Sequence, residues 1–360
     1  MKNRLSTVLI AGTLALVPTA CGRAPATPVE AGRSAPEAAT AAATPTADAR
    51  SDLGTAPPPS PSSSGPAAGS TGPATRASGG CGAGGPAAVW AGWPMPNPRG
   101  TGLPRPASYT VRGDGTVRDN VTCLVWQRSP APRTYDWAAA TRYCADLTLA
   151  GGGWRLPTRV ELTSLVDVSA ANPAIDTRAF PGTPPRFFWT ASPWAVRRSP
   201  ALSWMINFYE GLATNAGNQA SAFHVRCVRS PVGSGRPRLR VTAGEVSDPR
   251  TGLTWQRADS GRTMRAGQAA GYCAALSLAG TRWRLPSVKE LATTVDESRV
   301  APAIDRAAFP ATVADGWYWS SSAGLTAQNR SDPGRPWALD YEDGFTNFRD
   351  IGQARVRCVR

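Results

Sequence analysis

Histidine is almost missing from this 360-residue chain, in which His224 stands alone. A single imidazole largely removes Ser-His-Asp or Cys-His catalysis and histidine-rich metal sites. Lysine is nearly as scarce: only Lys2 and Lys289 occur among 39 basic residues, so arginine carries almost all of the net charge of +14. Phe, Trp and Tyr are absent from Met1 to Val89, whereas all 13 Trp lie from Trp90 onward. The first quarter therefore lacks the side chains for a core, which has to be built downstream.

The start of the chain reads as an export signal. Lys2 and Arg4 form a charged beginning, "LSTVLIAGTLALV" an apolar stretch and "PTAC" a small-residue cleavage region, giving a signal peptide over 1–20. The apolar stretch is short for a membrane span. Cys21 directly after "TA" resembles the lipoprotein signal, whose cysteine is lipidated and becomes the mature N-terminus; Pro18 stands where that signal usually has Leu. The alternative is an ordinary secretory cut near Ala20. Residues 21–85, with runs such as "TAPPPSPSSSGPAAGSTGPA", are too poor in apolar side chains to offset their ordering entropy. They read as a disordered tether.

From about residue 115 the chain is written twice. "WRLPTRVELTSLVD" begins at Trp154 and "WRLPSVKELATTVD" at Trp283, with eight of fourteen positions identical. Cysteine follows the same pattern. With Cys21 set aside for lipid, six remain, and six allow fifteen pairings. Cys144 and Cys273 share the place in "RYCADL" and "GYCAAL", and Cys227 and Cys358 share "VRCVR". The repeat thus selects Cys144 with Cys227 and Cys273 with Cys358, and leaves Cys81 with Cys123, in an export compartment where disulfides persist.

Each copy has a strand entry ("DNVTCLVWQR", "DPRTGLTWQR"), then a helix with Trp137, Thr141, Cys144 and Leu147 at helical spacing in the first copy. Thr158 with Glu161 and Ser287 with Glu290 fit the S/T-x-x-E capping box, which starts a second helix with Leu162, Leu165 and Val166, or Leu291 and Val295, facing inward. "WMINFYEG" and "WALDYEDG" read as hairpin strands, and "FHVRCVR" and "ARVRCVR" as closing strands. The expected class is α+β: two helices and short antiparallel strands per copy, tied by a disulfide, over 86–230 and 245–360 with a linker at 231–244.

The order D-x-x-T-G-L-x-W-Q, Y-C on a helix, W-R-L-P-[ST]-x-x-E-L, F-P, W-[ST]-[AS]-S and V-R-C-V-R resembles the Lcl C-terminal domain family, over about 115–229 and 246–360. The resemblance implies a C-type-lectin-like fold in two tandem copies, with a helix-to-last-strand disulfide. It implies little chemistry. Gly252 keeps the family glycine, whereas the first copy has Cys123 there, which supports a private bridge to Cys81.

Residues available for chemistry have simpler duties. His224 is replaced by Arg355 in the second copy and reads as an exposed strand residue. Glu161 and Glu290 are explained by their caps. "WRLPT" also resembles sulfatase-modifying enzymes, but those need reactive thiols, and here the cysteines fit bridges. A lectin-type calcium cluster is absent, and "DYEDG" around Asp340 and Asp343 reads as a solvated turn. Trp126, Trp154, Trp189 and Trp204 have partners in Trp255, Trp283, Trp319 and Trp337, as core positions should, whereas Trp194 and Trp317 fall outside the pattern and are expected to be exposed. The arginine excess favours sulfate, phosphate or carboxylate partners, although a coding bias toward Arg, Ala, Pro and Gly would give the same composition.

The expectation is a non-enzymatic, cofactor-free, exported envelope protein, lipid-anchored through Cys21. It binds an anionic polysaccharide or other surface ligand through Arg197, Arg198, Trp194 and Trp317, and binds no nucleic acid. The alternative is a structural component of an envelope or secreted assembly without a glycan site.

Overall fold

The computed structural model describes residues 90–194, 202–229, 239–326, 328, 330–348 and 351–360, with the side chains of 215–217 excepted. The expected signal peptide, Cys21, the tether, Cys81, Arg197, Arg198 and most of the linker lie outside them. The first copy runs β1 (Tyr109–Val111), β2 (Thr116–Asp119), β3 (Val125–Gln127), α1 (Trp137–Asp146), α2 (Arg159–Ser164), β4 (Phe187–Pro193), β5 (Leu202–Asn207), β6 (Leu212–Asn218) and β7 (Val228–Arg229). The second runs β8 (Arg240–Val241), β9 (Glu245–Asp248), β10 (Leu253–Gln256), α3 (Ala266–Ala274), α4 (Val288–Ala292), β11 (Trp317–Leu325), β12 (Ser331–Asp340) and β13 (Thr346–Asn347). All strand pairs are antiparallel, in sheets ordered β1-β2-β3-β7, β4-β5-β6, β10-β9-β8 and β11-β12-β13. Val359 bridges Trp255 and Arg284 where β7 closes the first copy. Among the described residues no helix is long and apolar enough to cross a membrane.

Every position of the doubled W-R-L-P-[ST] motif has a structural partner, the arginine included. Trp154 and Trp283 donate their indole N–H to Leu149 O and Leu278 O. Each lies under the last arginine of its copy, Arg229 at 5.0 Å and Arg360 at 5.5 Å. Arg155 grips Glu161 through both carboxylate oxygens at 2.7 and 2.5 Å, and Arg284 grips Glu290 at 2.7 and 2.6 Å. The same glutamates close capping boxes with Thr158 and Ser287. One carboxylate thus satisfies a guanidinium and a helix start together. A cap of this kind contributes about 0.5–2 kcal/mol.

The buried stripe of α1 differs from the expected one. Ala140 and Cys144 are the buried residues, Trp137 and Leu147 are half-buried, and Thr141 is exposed. Small side chains let α1 approach the sheet closely, and the Thr141 hydroxyl returns to Trp137 O instead. The disulfides Cys144–Cys227 and Cys273–Cys358 join α1 and α3 to the closing strands of their copies. Cys123 has a φ of +63° where Gly252 has +71°. A side chain at this left-handed position costs about 1–2 kcal/mol, and Cys123 is disulfide-bonded; Cys81 lies outside the described residues.

The two copies share a core. The described residues fall in one compact unit, and one apolar cluster joins Val160, Leu162 and Trp204 of the first copy to Val288, Leu325, Trp337 and Phe348 of the second. Ala91, Trp93 and Met95, ahead of the first copy, are buried in the same cluster, and Asn97 accepts a hydrogen bond from Ser287 of the second copy. The six residues of α2 are held at both ends by charges from the other copy. At its N-terminus Glu297 accepts from Val160 N at 2.9 Å, Arg159 Nε at 3.1 Å and the Ser192 hydroxyl. At its C-terminus Lys289 donates to Ser164 O at 2.8 Å and Val166 O at 2.7 Å. An anion at the start and a cation at the end both complement the helix dipole. Burial pushes the Glu297 carboxyl up and the Lys289 amine down to about 8.

Candidate functional site

Two open hollows adjoin on the second copy, around the start of α3. The first, of about 620 Å³, is lined by Arg262, Met264, Arg265, Gln268, Tyr272 and Gln353, among others. The second, also about 620 Å³, is lined by Arg265, Trp319, Arg335, Pro336, Phe348 and Ile351, among others. Arg262, Arg265, Gln268, Arg335 and Gln353 are exposed. Among the described residues none of the three arginines pairs with a carboxylate. Among the described residues neither hollow has an acidic side chain in its lining.

Local sequence explains the shape. Arg265 precedes α3, and Gln268 reaches back to accept from Arg265 N at 3.1 Å. Gln353 accepts from the Thr263 hydroxyl at 3.0 Å, which ties the closing segment to the wall. In the second hollow, β11 and β12 cross at Gly324, where an added Cβ would lie 2.1 Å from Arg335 O and 2.9 Å from Phe348. Only glycine permits that approach, and Arg335 and Phe348 both line this hollow. Such a groove offers exposed guanidinium forks beside apolar side chains, the combination that suits a charged ring with a carboxylate or sulfate substituent.

The other expected site residues fall elsewhere. Trp194 is half-buried and donates its indole N–H to Asp343 Oδ2 at 3.1 Å, so it joins the two copies. Asp343 also accepts from Arg159 through its backbone carbonyl, and Asp340 is half-buried, which places this acidic turn in the contact between the copies where a solvated turn was expected. Trp317 packs edge-on against Phe345, with ring centroids 6.1 Å apart, and is half-buried too. Trp194 thus serves a contact between the copies and Trp317 one within the second copy. Arg197 and Arg198 lie outside the described residues.

His224 is half-buried against Phe188, and burial with nearby Arg186 lowers its pKa. Its counterpart Arg355 pairs with Asp259 at 3.0 Å, and Asp259 also accepts from the Tyr318 hydroxyl. The second copy thus carries polar groups where the first has Phe188 and His224. Arg226 and Arg357, the first arginines of the two "RCVR" endings, are fully buried, and among the described residues neither pairs with a carboxylate. Each donates to two backbone carbonyls and a threonine hydroxyl beneath an aromatic ring, Phe180 or Phe309. Part of the arginine excess is therefore interior. Among the described residues no group of three or more His, Cys, Asp or Glu side chains is placed to hold a metal ion.

The repeated framework, one helix-to-closing-strand disulfide per copy and the same buried arginine in each, agrees with a comparison against known families. The Lcl C-terminal domain matches residues 115–229 and 244–360, well over half of the chain. The chain belongs to the Lcl C-terminal domain family. No curated protein gives a significant match. Against that family framework the two Lcl copies agree in their cores and differ on the groove face: Asp136 and Asp146 of the first copy stand where the second has Arg265 and Ala275. That exchange was visible in the aligned repeats, but the grouping of Arg335 and Gln353 with Arg265 was not.

Proposed function

We propose that this chain is a non-catalytic binding protein of the cell envelope whose second Lcl copy holds an anionic polysaccharide in the arginine groove. The carrying observation is the pair of adjoining hollows with three exposed arginines and, among the described residues, no lining carboxylate. Burial of Arg226 and Arg357 supports assigning recognition to these three, because an interior guanidinium meets no ligand. The reading includes a C-type-lectin-like fold for each copy, export by residues 1–20 and lipid attachment at Cys21, which rest on the sequence. A structural role in an envelope assembly is the second reading; the core shared between copies favours it, since it makes the unit a stiff building block.

Reversing two groove charges, Arg262→Glu with Arg335→Glu, is expected to weaken binding to polygalacturonate at low salt by tenfold or more. The melting temperature should stay within a degree or two, because both side chains are exposed. Equal affinity of the double variant and the parent would discard the groove as the site. Cys21→Ser is expected to move the protein from the membrane fraction to the soluble one and to abolish any lipid mass on the mature N-terminus. Unchanged partition would remove the anchor from the proposal.

A further inference from the structure

We infer that one linear polyanion lies across both hollows by an internal stretch, with Arg265 gripping it at the junction, and that the first copy holds no second such site. This rests on reading the groove as a polysaccharide site. Arg265 lines both hollows, and the neighbours Gly352 and Gln353 back the second and the first, so the two are continuous around one segment. Each hollow adds one arginine of its own, Arg262 in the first and Arg335 in the second, and each has apolar or aromatic residues in its lining, Tyr272 and Leu276 in one and Trp319 and Phe348 in the other. Two hollows, each with its own cation and a shared cation between them, suit a chain whose rings carry an acid group at every repeat. A chain end would occupy one hollow and leave the other with its arginine unmet.

At the matching described positions the first copy carries the opposite charge. Arg133, Asp136, Asp146 and Leu202 stand at the positions of Arg262, Arg265, Ala275 and Arg335, a net charge of −1 against +3. Asp136 is moreover engaged as the cap of α1, accepting from Ala139 N at 2.7 Å, and Arg133 lies over the Tyr135 ring at 4.9 Å. A polyanion therefore meets repulsion where the second copy attracts it.

Arg265→Asp tests this directly, because it installs in the second copy the residue that caps the matching helix of the first, and the fold should be preserved. Titration of the full chain with oligogalacturonates of graded length is expected to give one site per chain. Affinity should rise steeply once an oligomer spans both hollows. Arg265→Asp should cost tenfold or more at every length, whereas Arg335→Gln should weaken only the longer oligomers. Arg265→Ala, followed by circular dichroism, separates loss of binding from loss of fold. Two equal sites per chain, or affinity independent of length while the polymer stays sensitive to Arg262→Glu with Arg335→Glu, would overturn the inference and leave the groove reading standing. Failure of the parent to bind oligomer or polymer would overturn both.

Discussion

Glu297→Ala is expected to destabilise the unit by about 3–5 kcal/mol, the cost of removing one partner from a buried ion pair. Its effect should fall mainly on the copy to which it does not belong. Glu297 and Arg159 each leave only 5 % of the side chain exposed. With the carboxylate gone, the Arg159 guanidinium loses its only carboxylate partner among the described residues, keeping a bond to Asp343 O and its place over the Trp204 ring at 4.0 Å. Val160 N and the Ser192 hydroxyl lose their acceptor as well. Hydrogen exchange should therefore accelerate first at the α2 amides of the first copy. Glu297→Gln, which keeps the shape and a carbonyl acceptor, should cost less. A double-mutant cycle with Arg159→Met isolates the pairing, and a coupling below about 0.5 kcal/mol would show the contact to be incidental.

Removing the Cys144–Cys227 bridge by Cys144→Ala with Cys227→Ala is expected to cost roughly 4–5 kcal/mol on the loop-entropy estimate, given the 83 residues it closes. The matching change at Cys273 and Cys358, which closes 85 residues, should cost about the same. Both cysteines of each pair are fully buried among apolar neighbours, so the alanine variants lose the link without exposing new polar atoms. Denaturant unfolding of each double variant reads the difference. Because the copies share a core, loss of either bridge should lower one common transition, and two separated transitions would show that the copies unfold independently.

Reading the repeat was enough for the helix caps, the disulfides and the core tryptophans of each copy, though not for the full buried stripe of α1. The capping boxes at Thr158 and Ser287, the half-cystine on the buried side of each first helix and the paired core tryptophans are local or repeated features, and period, spacing and duplication write such features directly into the chain. The matched positions also assigned the two bridges, since two copies of one fold must place equivalent cysteines alike. The duty of the motif arginines escaped the linear reading, although Arg155 and Glu161 are only six residues apart, because the spacing of a bidentate pair depends on how the turn between them bends.

What passes between copies was decided by the tertiary structure alone. Glu297 and Lys289 look like surface charges in a line of text, and only the docking of α4 beside α2 turns them into the two end charges of a foreign helix. Trp194 and Asp343 are 149 residues apart, and no periodicity links them. The groove likewise gathers side chains from the start of α3, from β12 and from the closing segment. Net charge counted every arginine alike, whereas burial in three dimensions put Arg226 and Arg357 inside and left Arg262, Arg265 and Arg335 facing solvent.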